Sequence, residues 1–298
     1  MYTQFFGNYL LSNGYVTKEQ LFSAMQREAT QHMKLGTLAM HAGYMNASQV
    51  DETVIQQTHQ DRKFGELAVE LGYLTDDQVL SLLKQQNPAY LSLGQVLLDD
   101  GILTNSDFEI IMNDYSSKNG IQGLDAITEM PEAIHNLLNS FFQKSDTSVS
   151  HNGYMFVELL FNDFLRFIGD DFTPMNVKEV KGAPINCCVK QEVHGDYSIN
   201  TYISMDQPTA IAFASRYVHE QFSEYDEYVQ ASLEDFLNLQ NGLFIVNVSN
   251  DSSTELTLGV PEHVDTTELS FEKKTLQFEI LYPFGTIYFY MELIKSNE

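Results

Sequence analysis

The sequence predicts an α+β protein in two parts: an N-terminal all-α array of four 29-residue helical hairpins, then an α+β domain with a mainly antiparallel sheet and flanking helices. Three observations predict it. Glycines recur at one interval through the first 115 residues, alternating apolar patterns fill the second half, and 298 residues that are 43% hydrophobic suffice for two cores. With 12% aromatic residues and 7 prolines, the chain is too apolar and too proline-poor for disorder.

The repeat comes first. Glycines at 7, 36, 65 and 94, and at 14, 43, 72 and 101, each step by 29, as do Leu21, Val50, Val79 and Phe108, and Met25, Val54, Leu83 and Met112. An apolar residue precedes the first glycine of each unit (Phe6, Leu35, Phe64, Leu93), and an apolar stretch runs to the second, which reads as a short helix closed by a glycine cap. Thr17, Asn46, Thr75 and Thr104 then sit where a second helix begins, with Gln20 and Gln78 placed to complete capping boxes. Packing alone accounts for most of these positions. The repeat domain is expected over 1–115, a linker with a helical segment near 131–143 over 116–147, and the second domain over 148–298, with the turn-forming run 116–123 ending the repeats.

In the second domain an apolar helix is expected over Tyr154–Ile168. Ile185–Val193 and Tyr197–Met205 alternate as a hairpin about His194-Gly-Asp. Asp206 caps a helix with Pro208 in its first turn, and another helix runs from about Tyr225 to Gly242. The tail from Thr254 to Ile294 reads as several strands, with the aromatic run Phe278–Tyr290 as sheet core and an edge for a dimer.

Charge and motifs exclude several functions. Lys and Arg number 16 against 41 Asp and Glu, a net charge of -25, which repels nucleic acid and anionic membrane surfaces. The share is net -7 for residues 1–120 and net -18 for the rest. Cys187 and Cys188 are adjacent and read as reduced thiols. The start of the chain lacks a basic n-region and a cleavage site, and no apolar run is long enough to span a bilayer, so a cytoplasmic protein without membrane insertion is expected. Histidine and cysteine spacing supports no metal site, and no phosphate-binding glycine loop or nucleophile elbow occurs.

On the helix expected from Tyr225, Asp235 and Asn238 sit three apart and share a face with the small residues Ala231 and Gly242. Val229, Leu233 and Phe236 form a separate stripe that can face the sheet, so the acid and the amide are expected to project to solvent or a partner. Without further context such a pair is an ordinary solvated face. Glu158 and Asn162, four apart on the earlier helix, are read that way.

Two resemblances add to this reading. The unit Lys63-Phe-Gly-Glu-Leu-Ala-Val-Glu-Leu-Gly-Tyr-Leu-Thr resembles the N-terminal domain of type II secretion and pilus-assembly ATPases. In that family an Arg before the Leu-Gly pair contacts cyclic di-GMP. Here the position holds Phe5, Lys34, Lys63 and Ser92, and a lysine cannot reproduce the planar fork of arginine, so cyclic di-GMP ranks behind a structural or partner-docking role.

The run from Tyr197 through Ser215, with Glu224 through Gly242, resembles the CheC/CheX/FliY chemotaxis phosphatases over roughly 148–298. That family carries Glu-x-x-Asn on the corresponding helix. Aligned on Leu233, Asp235 takes the place of the Glu, Asn238 that of the Asn, and Glu234 that of a small residue between. The resemblance implies a phosphorylated CheY-type response regulator as partner, with the Mg2+ held by the regulator and no cofactor bound by this chain. An acyl phosphate is already activated, so what is missing is an oriented water for in-line attack, which a neutral amide can hold by donating and accepting together. The implied roles are water orientation for Asn238 and pairing with the regulator's lysine for the acid. Because Asp235 is one methylene short, three outcomes stand open: the backbone approaches closer, Glu234 takes the role, or activity is lost. A homodimer is expected by analogy, and a non-catalytic docking or sensor protein is the rival reading.

Overall fold

The computed structural model describes residues 2–28, 32–84, 89–119, 138–139, 141–143, 149–252 and 254–295. The chain is α+β and divides into two compact units, Met1–Asn136 and Leu137–Glu298.

The described part of the first unit is helical: α1 Tyr2–Ser12, α2 Lys18–Glu28, α3 Leu35–His41, α4 Ala47–His59, α5 Phe64–Glu70, α6 Asp76–Lys84, α7 Ala89–Asp99 and α8 Asn105–Asn119. Local chemistry sets the ends. Gly14, Gly43, Gly72 and Gly101 all lie at φ between 67° and 75°, where a side chain would be strained, and each follows a helix end. At the next helix Thr17 and Gln20, Asn46 and Gln49, and Thr75 and Gln78 each exchange reciprocal capping bonds of 2.8–3.2 Å. Packing does not follow chain order. Helices α1 and α2 rest on α7, whereas α3 touches α4, α5, α6 and α8. The buried Phe6 ring meets the rings of Tyr90 and Tyr115 at 5.4 and 5.1 Å between centroids.

Residues 116–119 of the expected turn are helical instead, since α8 runs on through Asn119; 120–123 lie outside the described residues. Lys118 bonds the Asp114 carboxylate one helical turn back at 2.6 Å, and the Ser117 hydroxyl donates to the Asp114 carbonyl, so the polar run is held helical. Most of the expected linker, including much of the segment near 131–143, lies outside the described residues; 138–139 and 141–143 are helical.

The second unit opens with α9 His151–Asp163, three residues earlier than the apolar pattern suggests, because the Ser150 side chain caps it by accepting from the Gly153 N–H. A π-helical turn, Phe164–Ile168, follows and ends at Gly169. Helix α10 Gln207–Val218 is capped by Asp206, which accepts from the Thr209 N–H at 2.9 Å, and α11 Glu227–Ser252 runs ten residues beyond Gly242.

The strands are β1 Thr173–Pro174, β2 Lys178–Pro184, β3 Cys187–Gly195, β4 Ser198–Met205, β5 Leu256–Leu258, β6 Glu262–His263, β7 Glu268–Tyr282 and β8 Gly285–Lys295. They form one sheet in the order β1-β7-β8-β4-β3-β5, with β2 also on β7 and β6 also on β3. Every pair is antiparallel. Phe278 and Phe289 face each other across β7 and β8 and are buried, as expected of core. The expected dimer edge in this run is not there. Strand β8 lies between β7 and β4, and the far side of β7 is covered by β1 and β2, because the chain between Thr173 and Pro184 folds back along it. Helix α11 packs on β3, β4, α9 and α10, and its Val229, Leu233, Phe236, Phe244 and Val248 are fully buried; the Phe236 ring, expected to face the sheet, meets instead Phe213 of α10 and Phe164 of the π-helical turn, 5.1 and 5.2 Å between centroids.

Candidate functional site

Helix α11 presents the candidate residues. The Asp226 carboxylate accepts from the N–H groups of Tyr228 and Val229 at 3.0 Å each and fixes where the helix starts. With Leu233 and Phe236 in the core, the helical period leaves Asp235 and Asn238 exposed and Glu234 half-buried.

Each of the three side chains meets a different neighbour. The hydroxyl of Tyr217, near the end of α10, donates to Oδ2 of Asp235 at 2.7 Å. The Tyr217 ring packs edge-on against Phe236 and stacks on Phe213, so the hydroxyl is held in place. Burial first, and then this bond to Asp235, raise the Tyr217 phenol well above its ordinary value, so it stays a donor. Glu234 turns the other way, its Oε1 2.9 Å from Nε2 of His263 on β6. Asn238 accepts through Oδ1 from Nε2 of Gln191 on β3 at 2.8 Å. Asp235 thus leans toward α10, whereas Asn238 and Glu234, one helical turn apart, both reach the side of β3 and β6.

Beside Asp235 lies a cleft of about 310 Å³ lined by Tyr217, Val218, Phe222, Tyr228 and Ala231. It is apolar with an acidic rim at Glu220 and Asp235. A second cleft of about 560 Å³ carries Cys187, Cys188, Tyr225 and His263. Burial pushes the Cys187 thiol up and the Cys188 thiol up to about 12, so both are thiols at neutral pH and poor nucleophiles. Among the described residues no group of three or more His, Cys, Asp or Glu side chains could hold a metal ion, and no helix is long and apolar enough to cross a membrane.

Sequence reasoning missed Tyr217, His263 and Gln191. The first two carry no local signal, since the contact to Tyr217 joins separate helices and that to His263 comes from the sheet. Gln191 did carry one. It occupies the inward phase of β3 between Val189 and Val193, where alternation calls for an apolar residue, and it is buried with them.

No protein-family model matches the chain, and no curated protein matches it. The solved structures similar to its C-terminal half include a CheC-like superfamily protein from Shewanella sp. PV-4, 14% identical with a TM-score of 0.43, covering 48% of this chain and 98% of that one. A chemotaxis protein CheX from Desulfovibrio desulfuricans is 11% identical with a TM-score of 0.43, over 48% of this chain and 99% of that one. A CheX–CheY–BeF3–Mg2+ complex from Borrelia burgdorferi is 16% identical with a TM-score of 0.37, over 46% of this chain and 94% of that one.

Proposed function

We propose that the C-terminal unit docks α11 against the phosphorylated receiver of a CheY-type response regulator and promotes hydrolysis of its phosphoaspartate. The observation that carries this reading is an exposed acid and an exposed amide three residues apart on one helix face, each held by a neighbour. In the reaction a water oxygen bonds to phosphorus as the bond from phosphorus to the aspartyl oxygen breaks. Inorganic phosphate leaves as H2PO4−, carrying both of the water's protons, and the regulator's carboxylate is restored. Asn238 orients the water; the regulator supplies Mg2+ and its lysine. Asp235 pairs with that lysine and sets register, which is positioning and involves no proton transfer.

A second reading, a docking module without catalysis, is favoured by the Tyr217 hydroxyl on Asp235, which competes for the carboxylate that a partner lysine would need. The decay of a radiolabelled phosphorylated CheY-type regulator separates the two. The phosphatase reading expects faster decay with the wild-type protein and a loss of about 10²-fold in Asn238→Ala. It also expects a gain in Asp235→Glu, which restores the missing methylene. Binding without any acceleration would leave only the docking module.

A further inference from the structure

Beneath Asn238 lies a network of side-chain amides whose direction is set by one group that cannot be reversed. Gln191 is 1% exposed, and its Nε2 donates both to Oδ1 of Asn238 at 2.8 Å and to the Gly259 carbonyl at 3.0 Å. Its Oε1 accepts from Nδ2 of Asn241 at 2.8 Å, and the same Nδ2 donates to Oγ1 of Thr201 at 2.8 Å. The Thr201 hydroxyl donates in turn to the Gln191 carbonyl at 3.1 Å. A backbone carbonyl only accepts, so Gln191 must turn its NH2 group toward Gly259. The same NH2 group then meets Asn238, which must offer its oxygen inward and its own NH2 group outward.

We infer that Gln191 is a positioning residue for Asn238, selecting the edge of the amide that faces a docked partner; this rests on the reading of α11 proposed above. The outward NH2 group donates to one lone pair of the attacking water and leaves the other free for phosphorus. The second lone pair of Oδ1 remains available to a water proton. An amide without this support offers its two edges interchangeably and must be ordered at each encounter. Burial makes the arrangement strict, because a reversed Gln191, 1% exposed, would set its Oε1 against the Gly259 carbonyl, acceptor against acceptor.

Side-chain amide NMR of the 15N-labelled full chain tests the orientation, with Asn238→Ala and Gln191→Met assigning the signals. The expected result is a slowly exchanging Gln191 NH2 pair and a freely exchanging Asn238 pair. Decay of the phosphorylated CheY-type regulator tests the consequence. Gln191→Met should lower kcat by about 10²-fold while KM for the regulator stays within about twofold, because the exposed surface is unchanged. If Gln191→Met fails to fold, Gln191→Glu serves, since a carboxylate draws the Asn238 NH2 group inward and should give the same loss of kcat. A protected Asn238 pair, or a Gln191 variant with full kcat where Asn238→Ala has none, overturns the inference. Should the wild type not accelerate decay at all, the phosphatase reading falls, and the exchange measurement alone decides the amide's orientation.

Discussion

Asp163, the last residue of α9, is 4% exposed, and its Oδ2 has no hydrogen-bond partner among the described residues. Burial pushes its carboxyl up to about 6, against the opposing pull of Arg166. A carboxyl whose folded value is raised binds its proton more tightly in the native state. Its stabilising contribution is therefore complete below about pH 4 and lost as the pH rises to about 6. Asp163→Asn should escape this loss, and its advantage in unfolding free energy from urea titration should open between about pH 4 and 6, reaching about 3 kcal/mol at pH 7. A constant difference across that range would show that Asp163 does not titrate there. At this scale the sequence made Asp235 and Asn238 legible because three-residue spacing on a helix is a local property. It hid the bonds of Tyr217 to Asp235 and of Gln191 to Asn238, which span 18 and 47 positions, because only the tertiary fold brings them together.

The helices were legible where a cap or a φ angle is local, as with Thr17 and Gln20 or with Gly43. The reason for the other glycine series was not, because it lies in the neighbour each one meets. A methyl group on Gly36 would press on Val50 and Phe64, and one on Gly65 would press on Leu35 and Val79, so α3 and α5 meet reciprocally through their glycines. Gly94 is tighter than Gly36 or Gly65, against the ring of Phe108 in α8. Gly94→Ala should destabilise the first unit by about 1–3 kcal/mol through overpacking, despite the better helix propensity of alanine. Chemical denaturation checks this, and pairing it with Phe108→Leu should recover part of the loss. The sheet was legible as strands but not in its order: β8 contacts β4, far back in the chain, and β1 and β2 close over β7. Alternation identifies a strand's faces, whereas its neighbours depend on the whole sheet.

Across the whole molecule the net charge of -25 repels itself at neutral pH and low salt. Raising NaCl from about 20 to 500 mM shortens the screening length several-fold and should raise Tm by about 3 °C, the equivalent of about 1 kcal/mol. A fall in Tm over that range would mean that the exposed ion pairs, such as Arg27 with Asp100 at 2.8 Å, outweigh the repulsion. That ion pair belongs to the contacts by which α2 and α7 meet out of chain order, joining residues 73 positions apart. During synthesis the first two helices leave the ribosome long before α7 exists to cover them. Phe6, Leu10 and Leu21, all buried in the finished protein, stay uncovered on the nascent chain until the residues of α7 have been made. The first two helices of this unit thus wait uncovered for α7, while α3 to α6 can already pack on one another, so the interval before α7 emerges is when α1 and α2 are open to a chaperone.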